Sequence, residues 1–356
     1  MAEVRSRLSR LRQQLIEREL DQLLVTDLVN VRYLSGFTGT NGTLLVAADQ
    51  AVLLTDFRYL SQAAEQSPDW EVVDGGREPR KRLAERMTGR VGFDDAQMTV
   101  QSHVALEKEI SEDVQLAPTA GIVEQLRAVK DSAEIATIAR AAGIADSIYE
   151  ALSHEGLTGR TEKEIAWRIA VLAHEAGAEG LSFPPIVAAG AHGALPHAEP
   201  RARAIERGDL VVLDLGVTVD GYCSDATRTF AVGEPAADQR DVYELVLRAQ
   251  MAALDTVRAG AACSAVDAAA RDIIDAAGHG EAFGHSTGHG VGLAVHELPT
   301  VAARSEMNLE TGNVVTIEPG VYLEGRFGIR IEDLIVIEAG APRVLSGFGK
   351  QLLVVD

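Results

Sequence analysis

The stretch Leu213-Asp-Leu-Gly-Val-Thr-Val-Asp-Gly-Tyr-Cys-Ser-Asp-Ala-Thr227 decides how this chain is read. Asp220-Gly221 between two β-branched runs predicts a two-residue type I′ turn, which needs positive φ at both central positions. With that turn, Val219 faces Tyr222 and Asp214 faces Thr227. Asp225 lies two residues before Thr227, so strand alternation puts it on the face of Asp214, a diagonal neighbour roughly 7–8 Å away at the backbone. Asp214 also interrupts an apolar run, Leu210-Val-Val-Leu213 followed by Leu215. A carboxylate buried there is costly unless it is paired or bound to a cation. An exposed acidic face on an ordinary hairpin fits the same residues, and a one-residue bulge would send the two carboxylates to opposite faces. Cys223 shares the predicted face and reads as packing rather than as a nucleophile.

Three more clusters follow. Gly284-His-Ser-Thr-Gly-His-Gly-Val-Gly-Leu-Ala-Val-His-Glu-Leu-Pro299 holds His285, His289 and His296 amid glycines, which let backbone approach a site closely. Val314-Val-Thr-Ile-Glu-Pro-Gly320 ends an apolar strand on Glu318 at a Pro-Gly turn. In Gly328-Ile-Arg-Ile-Glu-Asp-Leu-Ile-Val-Ile337, alternation sets Arg330 and Glu332 on one face and Ile329, Ile331 and Ile335 on the other. Each cluster alone has a plain structural reading, such as an Arg330–Glu332 salt bridge. Together, two Asp, two Glu and one His are an oxygen-rich set that suits a pair of divalent ions better than one structural zinc. Two metals roughly 3.5–4 Å apart need bridging carboxylates.

Around these clusters the 356 residues carry 53 acidic side chains against 33 Lys and Arg, a net charge of −20. That length suggests about two domains. The acidic balance argues against nucleic acid, whose binding rests on Lys and Arg, and against an anionic membrane surface. The first residues are charged, without the apolar stretch of a signal peptide, and no run reaches the ~18–20 apolar residues of a membrane span. Two cysteines are too few for a disulfide framework. The expected location is therefore cytoplasmic.

Residues 6–20 read as an amphipathic helix, 22–26, 43–48 and 51–55 as strands, and 100–110 as a helix. From residue 131 helices lengthen. Asp131-Ser-Ala-Glu134 and Thr161-Glu-Lys-Glu164 fit capping boxes, and further helices are expected over 239–257 and 264–277. Strand pairs are expected at 210–219 with 222–231 and at 314–318 with 329–337. Helices grouped with antiparallel hairpins indicate α+β.

The motifs Asp214-Leu-Gly, Ser224-Asp225-Ala-Thr-Arg-Thr, His285-x2-Gly-His289-Gly-x-Gly-Leu-x2-His296-Glu-x-Pro, Ile317-Glu318-Pro-Gly and Arg330-Ile-Glu332-Asp resemble, in order and spacing, those of the pita-bread metallopeptidases. That family includes aminopeptidase P, prolidase and methionine aminopeptidase. Tyr33-Leu-Ser-Gly-Phe-Thr-Gly-Thr-Asn-Gly42, Thr55-Asp-Phe-Arg-Tyr59 and Leu126-Arg-Ala-Val-Lys-Asp131 are similar to the Xaa-Pro branch, which carries a creatinase-type N-terminal domain. The resemblance implies an α/β N-terminal domain over residues 1–125 and an α+β pita-bread catalytic domain over 126–356.

It also implies that Asp214 binds one metal, His289 and Glu318 the other, and that Asp225 and Glu332 bridge both. Manganese is favoured, with cobalt, zinc or iron as alternatives. The implied reaction is metal-assisted hydrolysis of the Xaa-Pro bond in short peptides with proline second. Glu318 would accept the water's proton, and His197 and His296 would donate to the developing oxyanion. His285 matches the histidine on the other flank of His289, and Arg330 would orient Glu332 and Asp214. A homodimer is implied as well. The compact length and the Gly-Phe-Thr-Gly loop resemble aminopeptidases, which act on longer peptides, more than dipeptidases. A partner-binding protein without hydrolysis and a metal-free creatinase-like hydrolase are disfavoured by the intact ligand set.

Overall fold

A computed structural model describes residues 2–356, with side chains from residue 6 onward. The chain divides into two compact units, Met1–Arg127 and Ala128–Asp356.

In the first unit six short strands form one mixed sheet. Gln22–Val25 pairs antiparallel with Thr43–Ala47 and parallel with Arg90–Phe93; the strand Ala51–Thr55 continues one side, and Gln115–Pro118 closes the other. The opening helix spans Ala2–Glu17, not 6–20, because the chain turns out of it at Glu19 (φ 54°). The helix expected to reach residue 110 stops at Glu107. The strands Glu71–Asp74, Arg90–Phe93 and Gln115–Pro118, of four residues each, are too short to show a period and were not foreseen.

The second unit has two helix pairs, each packed on its own sheet. Helices Ser132–Glu155 and Glu162–Glu175 both start on the capping boxes anticipated at Asp131 and Thr161. They bury Val211, Leu213 and Leu215 from one strand of the hairpin and Phe230 and Val232 from the other. Helices Ala237–Thr256 and Cys263–Ala276 pack over Val315, Ile317, Ile329, Ile331 and Ile335.

The hairpin has the anticipated register. Asp220 (φ 47°) and Gly221 (φ 78°) make the turn, Val219 pairs with Tyr222, and Asp214 pairs with Thr227. The register is the same on both sides of the Gly216–Asp225 interruption, so no bulge separates the carboxylates. Odd residues 211–215 face the first helix pair, which leaves Asp214, Asp225 and Thr227 on the inner face. From the outer face Tyr149 donates to the carbonyls of Leu213 (3.1 Å) and Ala226 (2.6 Å), bracing the hairpin behind the carboxylates.

The second expected strand pair differs. Residues 329–337 are not one strand: Phe327–Arg330 pairs with Gly320–Leu323, and Asp333–Val336 pairs with Val314–Ile317. The apolar alternation runs through both halves because Ile329, Ile331 and Ile335 enter the same core. Between the halves, residues 330–332 lie on the inner face of the Ala226–Val232 strand. Thr229 Oγ1 donates to the Arg330 carbonyl (3.0 Å), and the Glu332 N–H donates to the Thr227 carbonyl (3.1 Å). Cys223 is buried among apolar neighbours such as Ile138 and Leu334, as packing requires.

Candidate active site

That crossing places Arg330 and Glu332 against Asp214 and Asp225. All four are nearly inaccessible, with Glu332 1%, Arg330 3%, Asp225 5% and Asp214 8% exposed. His289 comes from the short strand Gly288–Gly290, which presses on the 314–317 strand so closely that a Cβ on Gly288 would lie 1.9 Å from the Thr316 carbonyl oxygen. Thr316 Oγ1 accepts the His289 N–H (3.1 Å) and donates to Glu318 (3.2 Å). His289 Nε2 stands 3.3 Å from Glu318 Oε1 and 3.5 Å from Asp225 Oδ2.

These side chains line a cavity of about 630 Å³, together with His197, His285 and His296, and a wall containing Phe183, Pro184 and Pro185. All nine residues singled out in the sequence therefore meet in one place. Of the two acids that Arg330 was expected to orient, it meets only Asp214 directly. Arg330 does not pair with Glu332: its Nη2 donates to Asp214 Oδ2 (2.6 Å), and its Nε donates to Thr227 Oγ1 (3.0 Å), which in turn donates to Glu332 Oε2 (2.7 Å). Arg330 reaches Glu332 only through that hydroxyl.

His285 is also already engaged. Tyr322 OH accepts from Arg330 Nη1 (2.7 Å), so its single proton goes to His285 Nε2 (2.9 Å), and His285 Nδ1 donates to the Ser286 carbonyl (2.8 Å). Burial pushes the Tyr322 hydroxyl up to about 12 and lowers the His285 pKa, consistent with a neutral phenol and a neutral ring. Both His285 nitrogens are occupied, so in this geometry it props Tyr322 and Arg330. Tyr322 and Thr227 were missed in the sequence. The only signal for Tyr322 was its place in the 320–330 hairpin, whose turn residues Glu324-Gly325-Arg326 went unread. His197 and His296 are exposed at the rim, and the His296 ring stands edge-on to His289 at 4.4 Å.

The donor set fits a cation. Among the described residues Asp214 Oδ1 is buried without a hydrogen-bond partner. His289 Nδ1 lies 3.1 Å from the Gly290 carbonyl, to which it can only donate, so a neutral ring aims the lone pair of Nε2 at two carboxylates. That arrangement is repulsive unless a proton or a metal ion lies between them. Asp225, His289 and Glu332 each offer one ligand atom, all within 4.8 Å of one another. Burial, then the Glu332 charge, holds the Asp225 pKa well above the usual carboxylate range; burial, then Glu318, does the same to Glu332. Burial also raises Asp214 against the opposing Arg330 charge. Burial, the largest single influence, would raise Glu318 too, but its bond to His289 and the nearby His289, His285 and Arg330 charges together lower it; His289, which burial would lower, is raised in return. Such crowding of acids is the signature of a site built for positive charge.

An α+β unit with this acid-and-imidazole floor defines the class of pita-bread metal-dependent hydrolases. Residues 136–339 match the Metallopeptidase family M24, and residues 7–129 match the Creatinase/Prolidase N-terminal domain. The chain belongs to the M24 metallopeptidases, in their Xaa-Pro peptidase group. It is 35% identical to the Xaa-Pro dipeptidase of Pyrococcus furiosus over 351 residues, covering 98% of this chain and 100% of that protein. The Xaa-Pro dipeptidase structure from Bacillus anthracis superposes with a TM-score of 0.95 at 38% identity, covering 99% and 100% of the two chains. The X-Pro aminopeptidase from Thermotoga maritima MSB8 gives 0.87 at 34% identity, covering 95% and 99%. Among the described residues no helix is long and apolar enough to cross a membrane.

Proposed function

We propose that this chain hydrolyses the Xaa-Pro bond of dipeptides, using two divalent ions held by Asp214, Asp225, His289, Glu318 and Glu332. The observation that carries the reading is the floor of the cavity, where buried acids, an unpartnered Asp214 oxygen and the His289 lone pair converge. When bound, the ions would supply Lewis acidity, polarising the scissile carbonyl and lowering the pKa of a water. Glu318, part-exposed to the cavity and steadied by Thr316, would take the water's proton and help pass one to the leaving nitrogen. His197 and His296 at the rim would donate to the developing oxyanion. Arg330 would hold Asp214 directly and Glu332 through Thr227. The Phe183-Pro-Pro wall offers an apolar surface for a proline ring.

The dipeptide preference replaces the aminopeptidase preference drawn from length and the Gly-Phe-Thr-Gly loop. Its support is the set of relatives named Xaa-Pro dipeptidase that align over nearly the whole chain. One observation favours the longer-peptide reading. Among the described residues, Arg330 is the guanidinium lining the cavity, already engaged by Asp214, Tyr322 and Thr227, and no lysine lines it. A dipeptide carboxylate must then be met by histidine or by groups outside this cavity.

The test is hydrolysis of Ala-Pro, Ala-Pro-amide and Ala-Pro-Ala with Mn²⁺, before and after chelation, repeated with Co²⁺ and Zn²⁺. Metal-dependent cleavage of Ala-Pro alone supports the dipeptidase; cleavage of Ala-Pro-Ala makes the protein an aminopeptidase. No metal-dependent cleavage of any of them would sink both. Asp225→Ala is expected to abolish activity and reduce bound metal.

A further inference from the structure

His197 makes no hydrogen bond of its own among the described residues, so the backbone that carries it must fix its position. That backbone is the segment 190–201, which leaves the strand Ile186–Ala189, makes a short 3-10 turn at Gly190–Ala194 and passes Pro196 and His197 along the cavity rim.

Three points of this segment converge on one carboxylate. Glu162, the first residue of the helix Glu162–Glu175, is 0% exposed. Thr161 and Glu164 form the capping box, which leaves Glu162 free to turn inward beneath the loop. Its oxygens accept from the Ala189 N–H (2.9 Å) where the segment begins and from the Arg201 N–H (2.7 Å) where it ends. Between them, His192 Nδ1 lies 2.9 Å from both oxygens, and since a carboxylate only accepts, the His192 proton sits on Nδ1. No Lys or Arg pairs with Glu162 among the described residues. From the other side the Pro196 carbonyl accepts from Arg330 Nη1 (3.3 Å). The Gly190–Ala194 turn also presses on the Phe327–Arg330 strand so closely that a Cβ on Gly328 would lie 1.8 Å from the Gly193 carbonyl oxygen. A buried acid held by three such donors has one geometry, because a shift leaves the buried Ala189 N–H or the buried His192 Nδ1–H unsatisfied.

We propose that Glu162 is a positioning residue for the reaction: by tying both feet and the middle of the 190–201 segment, it sets where the His197 imidazole stands over the cavity. The inference rests on the reading of His197 as a donor to the oxyanion. It separates Glu162 from an ordinary fold brace by a specific consequence, that Glu162 matters for turnover only while His197 is present.

The experiment is a double-mutant cycle of wild type, Glu162→Gln, His197→Ala and the double variant, assayed on Ala-Pro with saturating Mn²⁺, with metal content and melting temperature recorded. Gln keeps one accepting oxygen but turns an NH₂ towards one of the three donors, releasing a foot of the segment. Glu162→Gln is expected to lower kcat about ten- to a hundredfold, the scale of a misplaced or lost oxyanion donor, with KM within about threefold. Bound metal is expected to stay at the wild-type level. In the His197→Ala background the same change is expected to cost less than about twofold. An equal loss in both backgrounds, or a loss that tracks bound metal, overturns the inference. If His197→Ala keeps full kcat, the reading of His197 fails and takes the inference with it. If His197→Ala is impaired and Glu162→Gln is not, only the inference fails. Should Glu162→Gln not fold, His192→Leu removes the middle donor while His192→Asn keeps one at Nδ2. The inference then requires a kcat loss in the Leu variant that Asn largely restores, and equal behaviour of the two overturns it.

Discussion

Thr227→Val isolates the hydroxyl that joins Arg330 to Glu332. Thr227 is 0% exposed, and its Oγ1 accepts from Arg330 Nε at 3.0 Å while donating to Glu332 Oε2 at 2.7 Å. Val fills nearly the same volume, so the cost is electrostatic rather than a cavity. Two buried hydrogen bonds to charged groups disappear, each about 1.5–3 kcal/mol. Arg330 keeps Asp214 and Tyr322, which argues for the lower end, about 3 kcal/mol in the metal-free protein. For a unit of this size that is a fall in Tm of about 6–12 °C. Glu332 also loses the donor that orients its carboxylate, and loss of such a partner to a ligand weakens metal binding roughly 10–100-fold. Thr227→Ser is the control: it keeps the hydroxyl and removes a methyl, about 1 kcal/mol, with metal affinity unchanged within about twofold. The assays are Mn²⁺ titration by calorimetry and thermal unfolding with and without chelator. If Thr227→Val binds Mn²⁺ like wild type, or if Thr227→Ser weakens binding as much, the hydroxyl is not what aims Glu332.

Two further outcomes concern the same cluster. Tyr322→Phe removes the hydroxyl between Arg330 and His285 and is expected to lower kcat roughly tenfold with the fold intact; an unchanged kcat in steady-state kinetics would show that the Tyr322–His285 prop is dispensable. In the metal-free protein Asp225 and Glu332, raised by burial and then by neighbouring acids, bind protons more tightly folded than unfolded. Their contribution to stability is therefore full below the unfolded value of about 4 and is lost as pH rises through the folded pKa; the raised His289 changes in the same direction and the lowered Glu318 in the opposite one. Bound metal offsets the same charges, so the gap in melting temperature between metal-loaded and chelated protein is expected to widen from pH 5 to pH 8. Parallel curves would count against the carboxylates as ligands.

Much of this site could be read along the chain because its decisive contact is local. The turn at Asp220-Gly221 and the two-residue period set the register at Asp214 and Thr227, and the capping boxes at Asp131 and Thr161 start the helices behind the hairpin. Reading failed where one pattern serves two partners. Ile329, Ile331 and Ile335 alternate as one strand would, yet Arg330 pairs across to Gly320 while Asp333 pairs to Ile317. Tyr322 sits among apolar residues without a motif, and Thr227, though inside the 224–229 motif and opposite Asp214, shows its role only through partners at 330 and 332.

The sequence by itself determined which acids share a face, since a hairpin's register depends only on its turn and on strand alternation. It also determined, through the order and spacing of its motifs, the family to which the chain belongs. The tertiary structure decided whom each charge meets. Arg330 takes Asp214 rather than Glu332, Thr227 carries the link to Glu332, and Glu162 gathers the loop that holds His197. The contacts of Arg330 with Asp214 and of Thr227 with Arg330 and Glu332 join residues more than a hundred positions apart, and those of Glu162 tie a helix to a loop some thirty to forty residues on. No local period encodes them. They exist because the 330–332 crossing and the helix at Glu162 bury polar groups that must find partners where the fold brings them.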